Sequence, residues 1–220
     1  MEFDHLFVST SRGAPEADEL VRAGFAEGTS NAHPGQGTAC RRFFFRNAYL
    51  ELLWVRDEAE ARSHPVDRTR LWERWRSGET GYSPFGIGLR SPSQGDGSAE
   101  LPFETWAYRP AYLPAPLHID VAESRSPAEP LIFRIPGRRP DAYDAERAQP
   151  LVHDSGAEEI TSITITLSHM GASPLLEAVE RAGVVTFCPG PSPLAEVVLD
   201  GWRHGLGLDL RPGLPLVVRW

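Results

Sequence analysis

Lysine is absent from the 220-residue chain; all 22 of its basic residues are arginine. Reaction classes that need a lysine Schiff base, a lysine nucleophile or the lysine of a phosphate-binding P-loop are therefore excluded. Cysteine is nearly as scarce. Cys40 and Cys188 stand far apart and in no CxxC or Cys/His pair spacing. That argues against a disulfide framework and a thiolate zinc site, and fits a reducing cytosol. The chain does not open with a basic region and an apolar run, and nowhere approaches the ~20 consecutive apolar residues of a membrane span, so the expected location is cytoplasmic. Positive charge is also in deficit: 22 basic against 30 acidic residues give a formal net charge of −8. This opposes attraction to nucleic acid and to anionic membranes, and leaves a small molecule as the expected partner.

Glycine and proline are abundant instead, 20 of each. Such close punctuation permits only short helices and predicts an α+β chain rich in sheet. Glu2 to Ser9 reads as a strand with Phe3, His5 and Phe7 on one face and Leu6 and Val8 on the other. Pro15 then opens a helix carried by Ala17, Leu20 and Val21 and stopped at Gly24. After a Gly/Pro/Asn loop, Ala39 to Arg46 and Tyr49 to Arg56 form a tight hairpin at Asn47-Ala48. Residues 57–83 read as a helical linker, and 84–157 as a strand-rich middle segment ending in a polar surface loop. Residues 158–220 again read strand, helix, then strands, with ERAGV after the second helix answering VRAGF after the first. Residues 2–55 and 160–220 thus form a weak internal repeat, and two such units are expected to pair their sheets around a shared cup.

The segments DHLFV, RAGF, HPGQGTACRRFFF and NAYLELLWV, all within residues 1–56, resemble the glyoxalase-like branch of the vicinal oxygen chelate superfamily. The resemblance implies paired βαβββ modules that form a cup-shaped mixed sheet, here with an inserted middle segment. It also implies a divalent metal, iron, manganese, nickel or zinc, and a small-molecule substrate chelated to it. His5 and Glu51 occupy the positions from which the first module supplies metal ligands. In the second module the answering positions fall near Ser162 and Val217, and no second His/Glu pair follows. Either His118 or Glu104 of the middle segment completes the site, or the cup binds its ligand without metal. Because the superfamily spans lyases, isomerases, dioxygenases and metal-free resistance proteins, the resemblance leaves two readings open. One is a metal-dependent enzyme of those classes; the other is a non-catalytic small-molecule binder, in either case a monomer or a homodimer.

Elementary chemistry bears on the same residues. A histidine flanked by Phe3 and Phe7, and a glutamate inside LELL, face apolar surroundings at a cost of about 2–7 kcal/mol unless something satisfies them. That partner is a metal or ligand on one reading, and a backbone carbonyl for His5 and Arg41 or Arg42 for Glu51 on the other. His33 and Gln36 sit on a tight HPGQG loop that can aim donors at a substrate oxygen. Arg41 shares parity with Phe43 and Phe45 and reads as an anchor for a carboxylate or enolate. Glu104, Trp106 and Tyr108 share one strand face, as acid/base, wall and hydrogen-bond donor of a pocket or as an aromatic core stripe with Glu104 at its rim. Glu51 or Glu104 is the candidate base. His118 is expected to face solvent, and His64, His153, His169 and His204 to lie at the surface.

Overall fold

The opening strand, β1 (Glu2–Ser9), carries an irregularity that sets the chemistry of the molecule. In a computed structural model, which describes residues 1–92 and 100–220, β1 pairs antiparallel with β5 (Phe85–Arg90), and the register shifts between Phe3 and His5. A bulge adds one residue and inverts the alternation beyond it. Phe3 therefore joins Leu6 and Val8 in the main apolar core, while His5 and Phe7 line a cavity on the other face. The expected grouping of Phe3 with His5 and Phe7 is corrected accordingly.

Helix α1 (Ala17–Arg22) follows with Asp18 and Glu19 in its first turn, buries Ala17 and Leu20, and leaves Val21 exposed. Strands β2 (Asn31–His33), β3 (Thr38–Phe44) and β4 (Tyr49–Val55) then build outward from β1, to which β4 is parallel. The hairpin closes at Asn47-Ala48 as expected, with Phe44 opposite Tyr49. The HPGQG loop is tight: Gly37 has φ +74°, and a Cβ there would lie 2.3 Å from the Asp57 carbonyl oxygen.

Short helices α2 (Glu58–Ala61), α3 (Leu71–Trp75) and α4 (Ser77–Thr80), with a 3-10 turn at Val66–Thr69, fill the predicted helical stretch. They carry Val66 and Leu71 into the inner apolar cluster. Strands β6 (Thr105–Tyr108), β7 (Ile119–Ala122) and β8 (Leu131–Arg134) complete an eight-stranded mixed sheet in the order β2-β3-β4-β1-β5-β8-β7-β6. The sheet curls strongly into a half-barrel, and strand outweighs helix 32% to 17%, as the glycine and proline spacing led us to expect.

The α+β class and the cup-shaped mixed sheet match the sequence expectation, but the second half of the cup comes from the middle segment. Within each half the first strand lies parallel to the last, β1 with β4 and β5 with β8. Residues 160–220 instead form their own five-stranded sheet, β10-β9-β11-β13-β12. Its strands are β9 (Ile160–Leu167), β10 (Val185–Pro189), β11 (Leu194–Leu199), β12 (Gly207–Asp209) and β13 (Leu216–Arg219), with helix α5 (Pro174–Glu180) after β9. The element order repeats that of residues 2–55, yet here the strand after the helix, β10, lies beside β9, so the pairing differs. Its Ile163, Ile165 and Val197 share one core with Leu6, Val8 and Ile87, which closes the outer face of the cup. Asn47 fastens the two sheets, donating to the Ile160 carbonyl at 2.7 Å and accepting from the Ile160 amide at 3.0 Å. Among the described residues no helix is long and apolar enough to cross a membrane.

Candidate functional site

The inner face of the half-barrel encloses a cavity of about 230 Å³, bounded by β1, β2, β4, β6, β7, β8, α3 and the 109–118 loop. One end is polar. The His5 ring stacks on Tyr49 at 4.4 Å between centroids and meets the edge of Phe133 at 5.3 Å. Behind the ring, Nδ1 lies 2.8 Å from the Asp4 carboxylate, which is itself paired with Arg90 at 3.2 Å. All three residues are buried. A carboxylate held by a guanidinium only accepts, so His5 donates from Nδ1, and Nε2 points at Glu51 Oε2, 3.5 Å away. In its neutral form the imidazole turns a lone pair toward the carboxylate, and two such facing acceptors in a largely apolar cavity call for a cation or a donor.

A second group adjoins Glu51. The Asn31 amide oxygen accepts from the Ala32 amide, which turns its nitrogen toward His33 Nε2 at 3.0 Å. His33 therefore donates from Nδ1 to the Thr38 hydroxyl at 2.9 Å, and Thr38 also accepts from Gln36. Tyr112 donates to the Gln36 carbonyl at 3.1 Å and lies against the His33 ring at 5.0 Å. Burial pushes the pKa of His33 down, and the nearby Glu51 carboxylate only partly offsets this, so the ring is neutral. Burial, with the Glu51 charge, pushes the Cys40 thiol up. His33, Cys40 and Glu51 each offer a ligand atom within 4.8 Å of the others.

The rest of the cavity wall is apolar: Phe7, Leu53, Leu71, Val121, Leu131 and Phe133 line it. Gly86 and Gly88 of β5 make room for the aromatic rings above them. A Cβ on Gly88 would lie 2.3 Å from the His5 ring, and one on Gly86 only 1.9 Å from the Phe7 ring. Tyr108 lines the cavity, its phenol pushed up to about 12 by burial. Its buried hydroxyl finds no hydrogen-bond partner among the described residues.

Of the residues singled out from sequence, His5, His33, Gln36, Glu51 and Tyr108 meet around this cavity. Three do not. Arg41 has the parity expected, but the face shared with Phe43 and Phe45 packs on the main core. Its guanidinium binds Glu27 at 2.7 and 2.6 Å and Asp18 at 2.7 Å, outside the cup. Glu104 is exposed, and Trp106 lies beneath the Arg68 guanidinium, 4.3 Å from its ring centroid, beyond the cavity lining. His118 is half-buried and sits 3.2 Å from Asp120 at the cup's edge. His153, expected at the surface, is buried: it accepts from the Ala26 amide at 2.9 Å and lies 2.9 Å from the Phe44 carbonyl. Its polar neighbours in sequence concealed this, because the contacts are made by a distant loop and strand.

Sequence reasoning passed over Asp4, Arg90 and Cys40. Two glycines two apart inside the strand-like FGIGLR were the available sign of a close approach from the neighbouring strand.

The sequence matches the glyoxalase-like domain family over residues 3–182. No curated protein matches it significantly. Among solved structures, a hypothetical protein from Staphylococcus aureus is similar with a TM-score of 0.52 at 9% identity, over 99% of this chain and 98% of that one. At that identity the likeness concerns the fold alone.

Proposed function

The chain belongs to the glyoxalase-like domain family of the vicinal oxygen chelate superfamily, and from that premise we propose that the cup binds a small molecule with an oxygen-bearing end and an apolar body. The observation that carries this reading is the buried Asp4–His5–Glu51 chain, which brings an imidazole nitrogen and a carboxylate oxygen to 3.5 Å at one end of a largely apolar cavity. The donor set fits a divalent cation: a neutral imidazole fixed by an outer carboxylate, and a second carboxylate facing it. His5 and Glu51 would hold the ion. Once bound, a divalent ion polarises a substrate carbonyl or enolate oxygen and stabilises charge developing there.

The protein's own groups then have distinct tasks. Asp4 and Arg90 fix the His5 ring, so Nε2 stays aimed into the cavity. Tyr112, from the 109–118 loop, packs against the His33 ring and holds Gln36. Burial keeps Tyr49 and Tyr112 protonated; Tyr112 donates to the Gln36 carbonyl, which leaves Tyr49 as the donor toward a substrate oxygen. Glu51 is the candidate base, since Glu104 lies outside the cavity. A volume of about 230 Å³, just under the ≈ 300–1,000 Å³ of drug-sized sites, favours a compact ligand. Both halves of the cup come from one chain, so a monomer suffices.

Elemental analysis of protein purified without added metal or chelator tests the reading, beside a His5→Ala/Glu51→Ala double variant. Near-stoichiometric iron, manganese, nickel or zinc that disappears in the variant is the expected result. A wild-type protein that stays metal-free after incubation with all of these, yet binds an oxygen-bearing ligand unaffected by chelator, would mark a metal-free binder.

A further inference from the structure

The two halves of the eight-stranded sheet repeat one pairing pattern about the β1/β5 seam, where Leu6 faces Ile87. Under that repetition His5 corresponds to Gly86, and Glu51, beside Phe7, corresponds to Phe133, beside Gly88. Glycine and phenylalanine offer no ligand atom. An ion shared between the halves, as the family resemblance implies, finds its protein ligands on one side only.

The first half carries more than His5 and Glu51. His33 on β2, Cys40 on β3 and Glu51 on β4 project into the cup from adjacent strands, with ligand atoms mutually within 4.8 Å. We infer that the divalent ion is held by the first half alone, through the Cys40 thiolate, the His33 imidazole and the Glu51 carboxylate, with His5 Nε2 against Glu51 at 3.5 Å but outside that group of three. This rests on the metal-binding reading above and names the ligands that complete it.

Three features support the set. The His33 ring carries its proton on Nδ1, donated to Thr38, so Nε2, which accepts from the Asn31 amide at 3.0 Å, is the nitrogen that would exchange that donor for the ion. Charge also balances: one thiolate and one carboxylate cancel a divalent ion, so no net charge is buried. On binding, Cys40 releases its thiol proton to solvent and the sulfur lone pair forms the metal bond. Finally, Cys40 is fully buried against the Glu51 carboxylate, and Glu51 and His33 both line the cavity. A thiolate shifts preference toward zinc, cobalt or iron and away from magnesium or manganese.

The test is titration of the metal-free full-length chain with Co2+, followed by absorption. The expected result is near-stoichiometric binding with a sulfur-to-cobalt charge-transfer band that persists in Cys188→Ser and vanishes in Cys40→Ser. Zinc affinity in Cys40→Ser should fall by more than the about 10–100-fold that loss of an outer-shell partner costs. Cobalt bound without that band, or a band that survives in Cys40→Ser, overturns the inference and leaves metal binding through His5 and Glu51 standing. No cobalt bound by the wild type overturns both. Should Cys40→Ser fail to fold, Cys188→Ser decides alone, because Cys40 is then the chain's only thiol.

Discussion

The two halves of the half-barrel share strand order and pairing, yet they face the cavity with opposite chemistries. The first half presents His5, His33, Glu51 and Tyr49, with Cys40 buried beside Glu51; the second presents Leu131, Phe133, Val121, Ile119 and the Tyr108 phenol, with glycines on β5 beneath the rings of the first. Backbone symmetry thus does not carry chemical symmetry. Main-chain pairing fixes where inward positions fall, and side chains at those positions are free to diverge so long as each polar one is satisfied. The first half meets that demand with a ladder of buried partners, Arg90 to Asp4 to His5. The second half has no such ladder, and its buried Tyr108 hydroxyl goes without a partner among the described residues.

The largest effect should come from breaking that ladder. Asp4→Ala removes the buried carboxylate that Arg90 and His5 share, leaving Arg90 the partly exposed Glu2 and the Asn47 carbonyl, and is expected to cost about 3–5 kcal/mol in urea denaturation. A loss under about 1 kcal/mol would show that Glu2 and the Asn47 carbonyl satisfy Arg90 unaided. Next is the close approach between the halves. Gly88→Ala drives a methyl into the His5 ring and should cost about 1–3 kcal/mol, the range for overpacking. Gly78→Ala, where nothing lies within 4 Å, is the matched control and should change stability little.

A smaller effect distinguishes the cup from the core outside it. Burial lowers the pKa of both His33, in the cup, and His153, in the outer core, so the fold favours their neutral forms. Their contribution is fully present above the unfolded value of about 6.5 and is lost as pH falls below it, by at most about 1.4 kcal/mol per pH unit for each. Thermal melts from pH 7.5 to 5 should show this slope, and His153→Gln should remove only the outer-core share. Least of all should be Tyr108→Phe. Deleting a buried hydroxyl without a partner is expected to be neutral or to stabilise by up to about 1 kcal/mol in the ligand-free protein. A clear destabilisation would mean that the hydroxyl has a partner, such as an ordered water.

Much of this was legible in the residues. The β1, β3 and β4 strands, the Asn47-Ala48 turn, the helical 57–80 stretch and the C-terminal strands follow from alternation, turn chemistry and punctuation. His5 and Glu51 stood out as polar residues in apolar strands, and the HPGQG loop announced its own tightness. Arg41 misled because parity tells which residues share a face and is silent on whether that face is cavity or core. In β3 the aromatic face that holds Phe43 and Phe45 is the outer one, covered by the C-terminal sheet. Cys40 escaped notice because its neighbours His33 and Glu51 come from two other strands, and no pair spacing along the chain encodes that.

The amino-acid sequence by itself determined the element types, the α+β class, the family and the polar pair on β1 and β4, since these depend on local periodicity, turn residues and short motifs. Tertiary structure alone decided which segment completes the cup, that a bulge at Asp4 turns His5 inward while Phe3 turns outward, and that His33, Cys40 and Glu51 converge. The reason is physical: strand pairing and bulge position are settled by which faces can be buried together, a competition among distant segments that no single stretch of chain records.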